Sequence, residues 1–389
     1  KFVFFLKRLF RKKIYNKFDF ITFSLKEREV FFGYYDLTPI SDNNQKILSL
    51  SHKKNDSFVE IGYFNINQPN NFVKIGQSNL WCWQQGSRLR WSKKDNSNVY
   101  YNCIVNDNYG AVLQNIYSKK ILMKINYPLY DITSNERYGL SLNFSRLQRL
   151  RPGYGYSICA DSTISKLAPN DDGIFLIDLH NNTSKLILDI ASISKIKSNI
   201  KFTSFNHYFN HISINPSGTR FLFFHLWANS FTRKSRLFTS NIDGTDLYLL
   251  EDNENVSHYS WINDSEIILT TSSKKNGIRY RIYKDKSKII RNLSEKLNYD
   301  GHPSFNNTNS QIFVSDSYPD KFSDRELFVY NIRESQKTSL LKLYSPLKYR
   351  NDYRCDLHPR WSVDGNLISF DSTHTGKRTI NLFNFKKIF

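Results

Sequence analysis

The residues best suited to chemistry in this chain are its histidines, and they are grouped. His207, His211 and His225 fall within one stretch, NHYFNHISINPSGTRFLFFHLW at 206–227. Histidine is the side chain best poised for proton transfer near neutral pH. A lone histidine is more often a satisfied structural group, so it is the grouping that suggests acid–base work. A second stretch, CDLHPRWSVDGNLISFDSTH at 355–374, brings Cys355, His358 and His374 together, with His302 earlier in DGHPSF. These are the ligand types that zinc prefers. Without a metal, His358 paired with Asp371 would lock the entrance of a strand. The third grouping is SRLQRLRPGYGY at 145–156, which carries Arg146, Arg149, Arg151, Tyr154 and Tyr156. Guanidinium groups clamp carboxylates bidentately, a phenol can donate a proton, and glycines beside the tyrosines loosen the tip. Taken alone, such a segment reads as a surface loop of solvated arginines. Gln85 and Arg88 in WCWQQGSRLRW, together with Arg233, add polar groups able to hold a substrate, although this motif also reads as packing between repeats.

What must position these residues is a set of hairpins. NPSGT at 215–219, NIDGTD at 241–246 and SVDGN at 362–366 are turn sequences flanked by alternating apolar runs such as RFLFF and NLISF. In a hairpin turning at Ser217–Gly218, His211 lies opposite Phe224 and His225 opposite Asn210. The two histidines are then diagonal neighbours within roughly 7–8 Å. Strict alternation nevertheless puts them on opposite faces, and only a bulge or a frayed end would bring them together. Around Val363–Asn366, the same arithmetic sets His358 opposite Asp371 and Cys355 opposite His374.

Such hairpins recur from residue 33 onward, with units beginning near Gly33, Trp81, Tyr130, Asn210, Ser257, Asp300 and Cys355. The spacing fits four-stranded blades of roughly 40–45 residues. The expected fold is all-β, a seven-bladed propeller over residues 31–389, preceded by a short basic, aromatic extension at 1–30. The third unit is stretched by an insertion running from Ser145 to Gly173, and a short helix is expected only within 189–199. The 24 Tyr and 30 Phe suit strands.

Lys and Arg exceed Asp and Glu by 20, which favours a polyanionic partner without naming it. No RNA- or DNA-binding motif accompanies that charge, so nucleic acid is not expected. Cysteines 82, 103, 159 and 355 form no CxxC pair and no disulfide framework. No run is long enough to span a bilayer, and no signal-peptide pattern is recognisable. Residues 1–18 mix Phe and Leu with Lys and Arg, so a peripheral contact with a membrane or cell envelope is the expectation there.

The motifs YYDLTPIS, CWQQGSRLRW, SLNFSRLQRLRPGYGY, FNHISINPSGTRFLFFHLW, SHYSW, DGHPSF and CDLHPRWS…GNLISFDSTH occur in an order that resembles the bacterial seven-bladed propeller polysaccharide lyases. The similar groups are the ulvan lyases and, more distantly, the oligogalacturonate lyases. The resemblance spans most of residues 33–385. It implies β-elimination on an acidic, uronate-containing polysaccharide or oligosaccharide. It carries proton transfer to His211, His225, Tyr154 and Tyr156, and carboxylate neutralisation to Arg149 and Arg151. A zinc or manganese ion would fall to His302, Cys355, His358 and His374. One departure is Leu226, which stands in HLW where an arginine is expected after the second histidine. The competing expectation is a non-catalytic propeller that binds glycan or scaffolds envelope polysaccharide assembly. Hydrolysis by paired carboxylates is disfavoured, because no Asp/Glu pair stands out at the blade tops.

Overall fold

The structure, a computed structural model, describes residues 18–196, 205–229, 233–252 and 255–387. Its strands form seven antiparallel four-stranded sheets, six of them built from consecutive strands. The seventh closes the ring. It pairs Arg360–Trp361, Leu367–Ser372 and Thr379–Asn384 with Ile21–Phe23 from the other end of the chain. Ile21 lies across from Leu382 and Phe23 from Ile380, and Phe18 and Phe20 pack on Phe383 and Phe370. The expected extension is therefore shorter than 1–30, because residues from Phe18 onward belong to the ring. Residues 1–17, where most of the membrane contact was expected, lie outside the described residues.

Blades pack face to face, so their middle strands are apolar on both sides and do not show the alternation of a half-solvated sheet. Arg220–Ala228 is the clearest case, buried from Phe221 through Trp227. The fourth strands face water, and all of Ile290–Asn292 is exposed. The turn at Gly365 has φ +71°, and a Cβ there would meet the Asn306 side chain at 2.4 Å, so this hairpin tip can fit its neighbour only as glycine.

The insertion in the third blade is partly helical, contrary to its reading as a loop. Phe144–Leu150 is capped by the Asn143 side chain, which accepts from the Arg146 backbone N–H. Pro152 follows its end. This helix lies against Asn206–Ile214, the first strand of blade four. A second helix, Ile190–Lys195, falls inside the stretch where one was expected. Among the described residues no helix is long and apolar enough to cross a membrane.

Candidate active site and metal centre

The innermost strands of the blades line an axial channel, and one position recurs along them. HISI, HYSW, HPSF and HPRW each place a histidine three residues before a large apolar residue. These are His211, His258, His302 and His358, one from each of blades four to seven. RLRW puts Arg88 at the same position in blade two. At three of these positions the backbone is left-handed, with φ of +54° at Arg88, +55° at His211 and +45° at His358. Such a conformation is costly away from glycine and concentrates at functional sites. At His211 it accompanies a bulge, because the pairing of blade four shifts between Asn210 and Ser213. That bulge settles the parity question: His225 lies opposite Phe209, and the His211 ring stacks on Tyr34 instead.

The four rings form an arc around Tyr34 and Tyr35 of blade one. His211 stacks on Tyr34 at 4.9 Å, and His358 meets the same ring edge-on at 4.8 Å. His302 is 4.4 Å from His358 and 4.1 Å from His258, centroid to centroid. Tyr35 meets His302 at 5.2 Å.

Each ring is held by a partner that leaves another nitrogen unspent. His258 Nδ1 lies 2.9 Å from Asp300, His302 Nδ1 2.7 Å from Asp316, and His358 Nδ1 2.8 Å from the Gly33 carbonyl. Acceptors at Nδ1 keep the proton there and leave the Nε2 lone pair free. Nε2 of both His302 and His358 is buried without a hydrogen-bond partner among the described residues. His211 is set the other way. Asn210 accepts from Gln85 and Tyr130 through its oxygen, so its amide N–H donates to His211 Nε2 at 3.2 Å. His211 therefore carries its proton on Nδ1, a buried donor with no acceptor among the described residues. Burial holds His211 and His358 well below the usual histidine range, helped by nearby cations, and lowers His258 despite the opposing Asp300. All three are neutral near pH 7.

Asp356 completes the group. One carboxylate oxygen and one nitrogen each from His302 and His358 lie within 4.8 Å of one another. Burial would raise the Asp356 carboxyl, but Arg354 and Arg325 hold it far below the ordinary range, at 2.5 Å and 2.7 Å. Two orphaned imidazole nitrogens and a carboxylate, with both imidazoles oriented from behind, fit a divalent transition ion such as manganese or zinc.

This set differs from the four ligands expected. Asp356, and not its neighbour Cys355, lies with His302 and His358. The Cys355 thiol lies 3.8 Å from the Asp356 carbonyl, and burial pushes it up to about 12, far from a thiolate. His374 hydrogen-bonds Ser372 and packs on Phe20, on the side of blade seven.

Several other expected site residues are bound into the scaffold. Arg236 donates to His225 Nδ1 at 3.0 Å, so His225 donates from Nε2 to His207 Nδ1, also at 3.0 Å. Both nitrogens of His225 are thus consumed away from the channel. Arg146 spends its guanidinium on the carbonyls of His207, Thr163, Lys166 and Leu167, stapling the insertion to blade four. Arg88 is bidentate to Asp36 and stacked on Tyr130. Tyr156 accepts from Asn102 and stacks on Phe144, and Arg149 pairs with Asp161 at 2.8 Å. Gln85 serves His211 indirectly, through Asn210.

Tyr154, Arg151 and Arg233 do gather on the histidine side. The Tyr154 ring stands edge-on to His211 at 5.7 Å. Its hydroxyl receives Arg354 Nη2 at 3.0 Å, and Arg151 sits 4.7 Å from the ring centroid. Burial alone would raise this phenol, but Arg354 and Arg151 outweigh it and lower its pKa. Arg151 and Arg233 have no carboxylate partner among the described residues.

A cavity of about 700 Å³ lies at the other end of the innermost strands, lined by hairpin residues including Asp42, Lys93, Pro216, Asp264, Asn307 and Val363. Tyr35 borders it. None of the four arc histidines lines this cavity.

Sequence reasoning missed His258, Asp300, Asp316, Asp356 and Arg354. The repeated H-x-x-W/F/I unit was the available signal for His258. Asp356, by contrast, needed the fold that sets it beside His302 and His358.

No protein-family model and no curated protein sequence matches the chain. Solved structures do. An oligogalacturonate lyase from Vibrio parahaemolyticus superposes with a TM-score of 0.66 at 13% identity, covering 94% of this chain and 96% of that one. An oligogalacturonate lyase in complex with manganese gives 0.66 at 14% identity, with the same coverage. The hydrazine synthase of Kuenenia stuttgartiensis gives 0.51 at 10% identity, over 90% of this chain and 95% of that one. At such identities the likeness is one of fold, a seven-bladed β-propeller shared with oligogalacturonate lyase.

Proposed function

We propose that this propeller is a polysaccharide lyase that cleaves an acidic, uronate-containing glycan by β-elimination. The observation that carries the reading is the arc of histidines with unspent nitrogens, set beside arginines that lack carboxylate partners among the described residues. The fold shared with oligogalacturonate lyases, one of them in complex with manganese, supports it.

In such a reaction the C5 proton of a uronate is removed, the C5 electrons form a C4–C5 double bond, and the C4–oxygen bond breaks. The departing oxygen takes a proton. The C5–H is acidic enough only when the adjacent carboxylate is neutralised. Arg151 and Arg233 supply positive charge for that carboxylate, and the His211 Nδ1–H supplies a hydrogen bond. His258 is the base. Asp300 fixes its Nδ1 proton and stabilises the imidazolium formed when Nε2 accepts the C5 proton. Tyr154 is the proton donor to the leaving oxygen, its phenolate then stabilised by Arg354 and Arg151. His302, His358 and Asp356 would hold a divalent cation, which when bound adds Lewis-acid neutralisation of the uronate carboxylate.

Incubation with a panel of uronate polymers, followed by absorbance of the conjugated unsaturated uronate, tests the reading. The expected result is signal with at least one polymer from the wild type and none from His258→Ala. Binding of acidic glycans without any unsaturated product would overturn the lyase assignment.

A further inference from the structure

The WCWQQG motif has a second consequence. Trp81 and Trp83 are only half buried, and Tyr353, on the short helical turn Asn351–Tyr353, is 48% exposed. The three rings are contiguous: Trp81 meets Trp83 at 4.9 Å and Trp83 meets Tyr353 at 4.9 Å. Phe31, fully buried, packs on Trp83 at 4.9 Å, and the buried Arg378 guanidinium sits 4.3 Å from the Trp83 ring centroid. These two cover the inner side, so the exposed remainder of the rings faces outward. The Trp83 indole N–H has no acceptor among the described residues. Single exposed aromatics are common, but a contiguous aromatic patch left open to solvent marks an interaction surface.

The cluster is also tied to the candidate active site. Arg378 donates to the Tyr353 and Arg354 carbonyls, and Gln84 donates to the Arg354 carbonyl at 2.8 Å. Arg354 is the residue on Asp356 and Tyr154. Trp83 is two residues from Gln85, whose amide reaches Asn210 beside His211, a chain distance of about 7 Å. The aromatic shelf thus continues outward from the catalytic arc on the same side of the ring.

We propose that Trp81, Trp83 and Tyr353 form a distal subsite that stacks a pyranose ring of the substrate chain beyond the ring being cleaved. It rests on the lyase reading for its substrate. Sugar rings present patches of C–H groups that pack on aromatic faces, while the rim hydroxyls take hydrogen bonds such as that of the Trp83 indole. The preferred substrate is then an oligomer or polymer long enough to reach both the arc and the shelf, and a disaccharide is a poor one.

Quenching of tryptophan fluorescence, titrated with uronate oligomers from dimer to hexamer and with neutral xylo- and cello-oligosaccharides, tests this. Wild type should bind hexamer at least about tenfold more tightly than dimer. Trp83→Ala should remove that gain without changing dimer affinity. Tyr353→Ala, whose side chain is exposed and whose loss opens no core, should reduce the gain by about threefold or more. Uronate binding that is independent of length and unchanged in both variants would overturn the shelf and leave the lyase reading standing. Neutral-oligomer binding lost in both variants, with uronates ignored, would keep the shelf and overturn the uronate reading. If no oligomer of either class binds, both fall.

Discussion

His211 and His225 lie in one hairpin, both are fully buried, and burial depresses both well below the ordinary histidine range. By composition, spacing and titration they look alike. They differ in what their nitrogens do. His225 is filled from both sides, receiving Arg236 at one nitrogen and donating to His207 from the other. His211 has one nitrogen satisfied by Asn210 and the other without an acceptor among the described residues, and its ring lies 5.7 Å from that of Tyr154. The comparison extends to the whole molecule: the arc of His211, His258, His302 and His358 keeps nitrogens in reserve, whereas the His207–His225 stack consumes them. Perturbed titration therefore separates neither group, and unsatisfied hydrogen-bonding capacity separates both.

The comparison breaks if the two groups respond alike to substitution. The largest separation is expected between His258→Ala and His225→Ala. Removing His258 should lower turnover by ~10³-fold, since it takes away the proposed base, and it also leaves the Asp300 carboxylate without its partner. Removing His225 should cost about 2–4 kcal/mol of stability, because Arg236 and His207 are left facing a void. The His225→Ala protein that remains folded should still turn over. Urea denaturation beside initial rates separates these outcomes.

Next in size is metal retention. His302→Ala should abolish stoichiometric manganese binding as measured by calorimetry. Asp316→Asn, which removes the group orienting His302 from behind, should weaken binding about 10- to 100-fold. Retention of full affinity by His302→Ala would remove the metal centre from the account.

The stack should also show itself in pH dependence. The folded pKa of His225 is lowered by burial, Arg236 and His207, so the unfolded chain binds this proton first as pH falls. Its effect is absent above about pH 6.5 and destabilises by about 1.4 kcal/mol per unit as pH drops below it. The urea midpoint of His225→Gln should accordingly fall less steeply below pH 6.5 than that of wild type. The smallest effect is expected at His374. His374→Ala should change neither manganese affinity nor turnover, and should cost under about 1 kcal/mol for its Ser372 bond and Phe20 contact.

Much of this was legible in the sequence, and the rest has identifiable physical reasons for being hidden. Seven hairpin units with turn residues at regular intervals specify seven sheets, because each unit buries its faces only against neighbours. The closure by Ile21–Phe23 was not legible, since three residues with one buried side carry no periodic signal. The insertion reached the His211 side as its aromatic and basic residues suggested, but most of its arginines became staples. Arg146 was read as a ligand clamp, and only the fold reveals the four carbonyls that surround it. Metal-ligand types were legible near residue 355, but the choice between Cys355 and Asp356 rests on which of them the fold sets beside His302 and His358. His258 was hidden by standing alone in its blade, until the channel set it beside His302.

Mass spectrometry of a uronate-oligomer digest tests the central claim most directly, because elimination and hydrolysis differ by one water in the product. Elimination yields paired fragments of which one lacks a water and absorbs as an unsaturated uronate, expected from wild type and lost with His258→Ala. Two fully hydrated fragments, or unsaturated product formed equally by His258→Ala, would contradict it.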